Sequence, residues 1–128
     1  MNAHEREYLN QVFKETVGAA YEVSNVLGCG FLEKVYERAL LAELRYRGLP
    51  ACGQVPMQIS YKGESMGDYF ADIVIEDQLI VELKCVDSFA NEHIAQCINY
   101  LRASGLKLAL LISFQKPRVE WKRIVYGL

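Results

Sequence analysis

The chain predicts an α/β (α+β) fold in which helices flank a central mixed β-sheet, in the order ααβββαββ. Three observations carry this expectation. Apolar residues at three- and four-residue steps mark two helical segments in the first part of the chain. Alternating or continuous apolar runs, bounded by Gly, Pro and polar turns, mark five strands. A third helical pattern lies between the central hairpin and the last two strands. A helical crossover there returns the chain parallel to a hairpin strand.

Leu9, Val12, Phe13, Val17, Ala20, Val23 and Leu27 form one amphipathic stripe, and Gly28-Cys29-Gly30 ends it. The second helix is expected from Phe31 to Arg47, with Gly48 as its stop and Pro50 just beyond. Val55, Met57, Ile59 and Tyr61 alternate as a strand that turns at Tyr61-Lys62-Gly63-Glu64. After the central hairpin, Asp87 or Ser88 is expected to cap a helix reaching Ser104, which Gly105 terminates. Leu106 to Phe114 is apolar except for one lysine and reads as a strand buried on both faces. Val119 to Tyr126 reads as a last strand at an edge, where a second copy could pair to give a homodimer.

The hairpin is the most informative segment. Residues 72–84 read as two apolar strands joined by the loop Glu76 to Gln78, which sets Asp72 opposite Glu82. Lys84 then shares a face with Glu82, because strand side chains alternate. This register gathers Ala71, Ile73 and Ile75 with Leu79, Val81 and Leu83 on one apolar face. The other face carries the three charges beside Phe70, Val74 and Ile80. A one-residue slip would mix the two sets, so the pattern selects the pairing. Like charges facing each other across strands are destabilising, and a bound divalent cation reverses that sign. An exposed hairpin with solvated charges is the competing reading, and Val74 and Ile80 on the charged face count against it.

Composition bounds the remainder. The 128 residues suit one domain spanning 1–128, and 52% hydrophobic with 23% charged residues is ordinary for a globular protein. No apolar run approaches the roughly 20 residues needed to span a bilayer, so no membrane partner is expected. The polar N-terminus lacks a signal-peptide core. Cys29, Cys52, Cys85 and Cys97 form no Cys-x-x-Cys pair, which fits reduced thiols and a cytoplasmic location. The net charge of −2 gives no general basic surplus. Basic residues cluster locally, at Lys116, Arg118, Lys122 and Arg123 and at Arg38, Arg45 and Arg47. A solvated surface explains those clusters equally well.

Two further stripes flank the hairpin. Gly30, Glu33, Tyr36 and Glu37 share a face of the second helix, and His93, Gln96 and Tyr100 share one on the third. Each stripe taken alone suits a structural role. Together, Gly30-Phe31-Leu32-Glu33-Lys34-Val35-Tyr36, Asp72 with Glu82-Leu83-Lys84, and Gln96-Cys97-Ile98-Asn99-Tyr100 resemble the GxxExxY proteins, a branch of the PD-(D/E)XK nuclease superfamily. The resemblance runs from about Leu9 to Phe114, with Ala71 standing where the superfamily name has proline.

That resemblance implies a restriction-endonuclease-like core and a metal-dependent nuclease. By it, Asp72, Glu82 and the Leu83 carbonyl are metal ligands, with Glu33 completing the site. Lys84 holds and activates the attacking water. Gln96 and Tyr100 match the accessory motif, His93 resembles a position that some relatives use near the site, and Tyr36 joins them as a substrate-binding or accessory residue. Mg2+ or Mn2+ suits such oxygen donors, and the implied reaction is phosphodiester hydrolysis in DNA or RNA. The alternative is a non-catalytic nucleic-acid-binding or protein-interaction module of the same fold.

Overall fold

The computed structural model describes residues 1–128. Eight elements appear in the expected order: α1 (Ala3–Leu27), α2 (Glu33–Tyr46), β1 (Ala51–Tyr61), β2 (Glu64–Ile75), β3 (Leu79–Lys84), α3 (Asn91–Ser104), β4 (Leu108–Ser113) and β5 (Glu120–Val125). The strands form one mixed sheet in spatial order β1-β2-β3-β4-β5. Short turns join the antiparallel pairs β1–β2 and β2–β3, whereas α3 carries the crossover that makes β4 parallel to β3. β5 returns antiparallel along β4 as an edge strand.

Each face of the sheet has its own core. Leu9, Val12 and Ala20 of α1 and Tyr36, Leu40 and Leu44 of α2 bury against Ile73, Val81, Leu110 and Ile112. Cys97, Tyr100 and Leu101 of α3 cover the other face, on Val74, Ile80, Ala109 and Leu111. Each fully buried aliphatic side chain contributes roughly 1.5–3 kcal/mol. Every residue of β4 is buried, which is why its sequence runs apolar without alternation. β3 and β4, packed on both sides, form a rigid base for whatever stands at their C-terminal ends. No helix is long and apolar enough to cross a membrane.

Several boundaries differ from expectation, each for a local reason. α1 begins at Ala3, well before Leu9, because Asn2 and Glu5 form a reciprocal cap: the Glu5 N–H donates to Asn2 Oδ1 at 2.8 Å and the Asn2 N–H to Glu5 Oε2 at 3.3 Å. Neither Asp87 nor Ser88 caps α3. The Ala90 N–H instead donates to Nδ1 of His93 at 3.0 Å, and the helix ends as expected at Gly105, in the left-handed region at φ 78°. β1 extends back to Ala51 through Gln54, whose φ of 51° is left-handed. The β1–β2 pairing skips Gln54 and Asp72. The register is unchanged across them, its one shift lying between Gln58 and Ser60, yet Ala71 packs with Met57 on the α3 side rather than with Ile73 and Ile75.

Candidate active site at the ends of β2 and β3

The β2–β3 ladder pairs Ile75 with Leu79, Val74 with Ile80 and Ile73 with Val81. One step further on, side chains replace the backbone ladder. The Asp72 N–H donates to Glu82 Oε1 at 3.0 Å, and the Leu83 N–H donates to Asp72 Oδ2 at 2.8 Å. Each carboxylate thus grips the other's strand, and the two acids converge as the hydrophobic register requires. The polar crossing sits where apolar pairing ends, and the carboxylates take up the Asp72 and Leu83 N–H groups there.

Glu82 is 2% exposed. Burial, and then the charge of Asp72, push its pKa up to about 8, against partial relief from the Asp72 N–H and from Lys84. Lys84 is half-buried and takes part in none of the four ion pairs. Its ammonium nevertheless favours the charged forms of both Glu82 and Glu33. Next to it, Ser113 accepts the Val86 N–H at 3.2 Å and donates to the Val86 carbonyl at 2.7 Å. That clamp fixes the chain leaving β3 just after Lys84.

Glu33 begins α2 and reaches across to the same strand end. Its Oε2 accepts the Cys85 N–H at 3.2 Å. Although the residue is exposed overall, desolvation of the carboxylate, followed by the charge of Asp72, raises its pKa. Behind it lie Glu37, from the same helix stripe, whose charge adds to the rise, and Gln54, which the sequence did not single out. Glu37, one turn on and 7% exposed, is held by Lys34 at 3.2 Å and by Nε2 of Gln54 at 2.9 Å. The three- and four-residue spacing from Glu33 was the signal for Glu37; Gln54 offered none.

Tyr36 is fully buried, stacked on Phe114 with ring centroids 4.6 Å apart. Its hydroxyl donates to the Gly28 carbonyl at 2.7 Å and accepts the Phe31 N–H at 3.3 Å. It therefore holds the turn that presents Glu33 rather than reaching solvent. Tyr36→Phe keeps the ring but leaves two backbone groups unmatched. The expected cost is about 1–3 kcal/mol, read as a lower midpoint in urea unfolding; an unchanged midpoint would show the hydroxyl to be dispensable.

On α3, the Gln96 side-chain amide donates to the Tyr100 hydroxyl at 3.2 Å. Burial raises the Tyr100 pKa, Gln96 opposes this, and the charges of Glu82 and Asp72 add to the rise. Gln96 and Tyr100 thus border the acids. His93, one turn earlier, has its Nδ1 engaged in capping the helix. Cys97 lies fully buried beneath the site, and burial with the nearby charges pushes its thiol up to about 12.

The arrangement brings Asp72, Glu82, Lys84, Glu33, Gln96 and Tyr100 to one end of the sheet. No three His, Cys, Asp or Glu side chains form a compact ion-binding cluster by themselves. A hard cation held by two carboxylates, a carbonyl and water does not require one. The donors here fit that description: Asp72 and Glu82 each use one oxygen on the backbone and keep a second. The Leu83 N–H faces Asp72, and in an extended strand a residue's carbonyl lies on the same side as its N–H.

The fold is shared with solved structures. SSO0001 superposes with a TM-score of 0.58 at 20% identity, covering 74% of this chain and 50% of that one. LHK-Exo, an alkaline exonuclease from Laribacter hongkongensis, gives 0.55 at 14% identity, covering 73% and 56%. LHK-Exo in complex with dAMP gives 0.51 at 12%, covering 84% and 76%. The chain thus spans only about half the length of the first two. No curated protein matches it significantly. The sequence profile of the PD-(D/E)XK nuclease superfamily matches residues 10–124. With its mixed sheet and nuclease-type fold, the chain belongs to the PD-(D/E)XK nuclease superfamily.

Proposed function

We propose that the protein is a metal-dependent nuclease of the GxxExxY branch, hydrolysing phosphodiester bonds in DNA or RNA. The observation that carries this reading is the convergence of Asp72 and Glu82 beside Lys84, at the ends of β2 and β3. Asp72, Glu82 and the Leu83 carbonyl would hold Mg2+ or Mn2+, with Glu33 at the margin. Such an ion supplies Lewis acidity to a phosphoryl oxygen and to water.

The remaining work belongs to the chain. Lys84 orients the attacking water and meets negative charge growing on the phosphate, a role suited to an ammonium that no ion pair occupies. Gln96 and Tyr100 form a polar rim that can place the substrate backbone by hydrogen bonds. Tyr36 and His93 fix α2 and α3 at their N-terminal ends, and with them Glu33 and Gln96. Similarity of fold to an alkaline exonuclease, and to that enzyme with dAMP, supports a nucleic-acid substrate.

The test is incubation with mixed single- and double-stranded DNA and RNA in Mg2+, Mn2+ or EDTA. Cleavage is expected with either ion and none in EDTA. Intact substrates under every condition, with nucleic-acid binding retained, would leave the non-catalytic module in its place.

A further inference from the structure

Residues from opposite ends of the chain meet in an open cleft of about 630 Å³ between α1, the loop before β5, and β5 itself. Tyr21 and Trp121 form one wall, and Lys116, Arg118 and Glu120 lie around them. We propose that this cleft docks an unpaired segment of the nucleic-acid strand whose cleavage is assigned to Asp72 and Glu82, with a base stacking on Tyr21 and Trp121 and a phosphate meeting Arg118. The ligand class rests on the nucleic-acid reading above, but the docking does not depend on catalysis.

The rings are arranged before any ligand arrives. The Trp121 indole N–H donates to the Tyr21 hydroxyl at 3.3 Å, and Phe13 meets the indole edge-on at 5.7 Å and 72°. Trp121 is nevertheless 38% exposed. A large ring held in place yet open to solvent binds at low entropic cost. Base–aromatic stacking tolerates any sequence, because every base has a π-face. A paired base presents no such face, so the platform selects single strands.

Charge points the same way. The Arg118 guanidinium lies 5.8 Å from the Tyr21 ring centre, and that of Arg123 lies 5.6 Å from the Phe13 ring. The acid lining the cleft, Glu120, is paired with Lys116 at 3.1 Å, whereas Arg118 and Arg123 enter no ion pair. This is a local cationic strip on a chain whose net charge is −2, so its position is informative where the total is not.

The cleft is also close to the acids. Ser113 pairs with Lys84 across β3 and β4, and Lys116 follows three residues later, a span of at most about 11 Å. Phe114, stacked on Tyr36, and the Pro117 carbonyl, which accepts from Ser24 at 3.4 Å, anchor the loop between them. A strand leaving the acidic site has only a few nucleotides to travel.

Trp121 is the single tryptophan and therefore reports on the cleft directly. The experiment titrates a 12-nucleotide single strand, and the matching duplex, into the Lys84→Ala protein in EDTA. Indole fluorescence and the anisotropy of a labelled strand are both read. The single strand is expected to quench Trp121 and to bind more tightly than the duplex. Arg118→Ala and Tyr21→Ala, folded by circular dichroism, are each expected to weaken binding about tenfold. Arg118→Ala should also lower the salt slope by about one. Equal binding of duplex, no quenching, or affinity indifferent to both substitutions would overturn the proposal. Wild-type protein that binds through the cleft but never cuts would sink the nuclease reading alone. Wild-type cleavage unaffected by Arg118→Ala, with Trp121 unquenched, would sink the cleft alone.

Discussion

Lys84→Ala is expected to lower metal-dependent cleavage by about 10²- to 10⁴-fold while leaving the fold intact. The size follows from the role: removing a group that orients a nucleophile or stabilises transition-state charge typically costs that much. The selectivity follows from the surroundings. Lys84 is half-buried, forms no ion pair, and stands at the end of β3 rather than in either core. Its loss should change stability by about 1 kcal/mol or less. Cleavage assays beside urea unfolding separate the two effects. A Lys84→Ala protein that cuts like the wild type would remove the lysine from the mechanism, and one that fails to fold would make it structural. Lys84→Arg is not expected to rescue, since a planar guanidinium differs in shape and does not release its proton.

The second large effect concerns Glu82 and pH. In EDTA the folded protein holds the Glu82 proton until about pH 8, whereas the unfolded chain releases it near the ordinary value of 4.5. Between those values the unfolded state binds fewer protons, so stability falls as pH rises. It is fully present below about 4.5 and lost by about 8. The loss amounts to a few kcal/mol, a melting shift on the order of 10 °C. Glu82→Gln cannot ionise and should flatten that slope, melting above the wild type at pH 8 and close to it at pH 4.5. Mg2+ or Mn2+ should restore the wild type at pH 8 and do little for the variant, because a cation offsets the second negative charge. A wild-type melting curve in EDTA that ignores pH across this window would show that Glu82 is ionised without help.

The hairpin was legible because one register alone separates its apolar residues from its charges. Ile73, Val81 and Leu83 had to face one way, and Asp72 and Glu82 were thereby brought together. β4 was legible because every one of its side chains is buried. What escaped notice depended on groups that hydrophobic periodicity does not weigh. The polar residues before Leu9 carry no apolar stripe, yet a two-residue cap starts the helix at Ala3. His93 caps α3 with a ring nitrogen, where the sequence offered the more usual Asp87 and Ser88. Ala71 packs on the α3 side, opposite Val55, one skipped pair beyond Ile73. The bonds from Gln54 to Glu37 and from Trp121 to Tyr21 join positions 17 and 100 residues apart. Only the folded topology brings such pairs together.

The far part of the β1–β2 hairpin belongs to neither core. Every residue from Ser60 to Phe70 is exposed, and β3 pairs with β2 only from Ile73 onward. The segment is therefore a projecting finger, held by its own cross-strand bonds and the tight turn at Lys62 and Gly63. Its reach can lengthen or shorten, and its side chains change, without disturbing the sheet beneath. The molecule thus joins a base intolerant of alteration to an appendage free to vary, so its surface can diversify while the acidic end stays fixed.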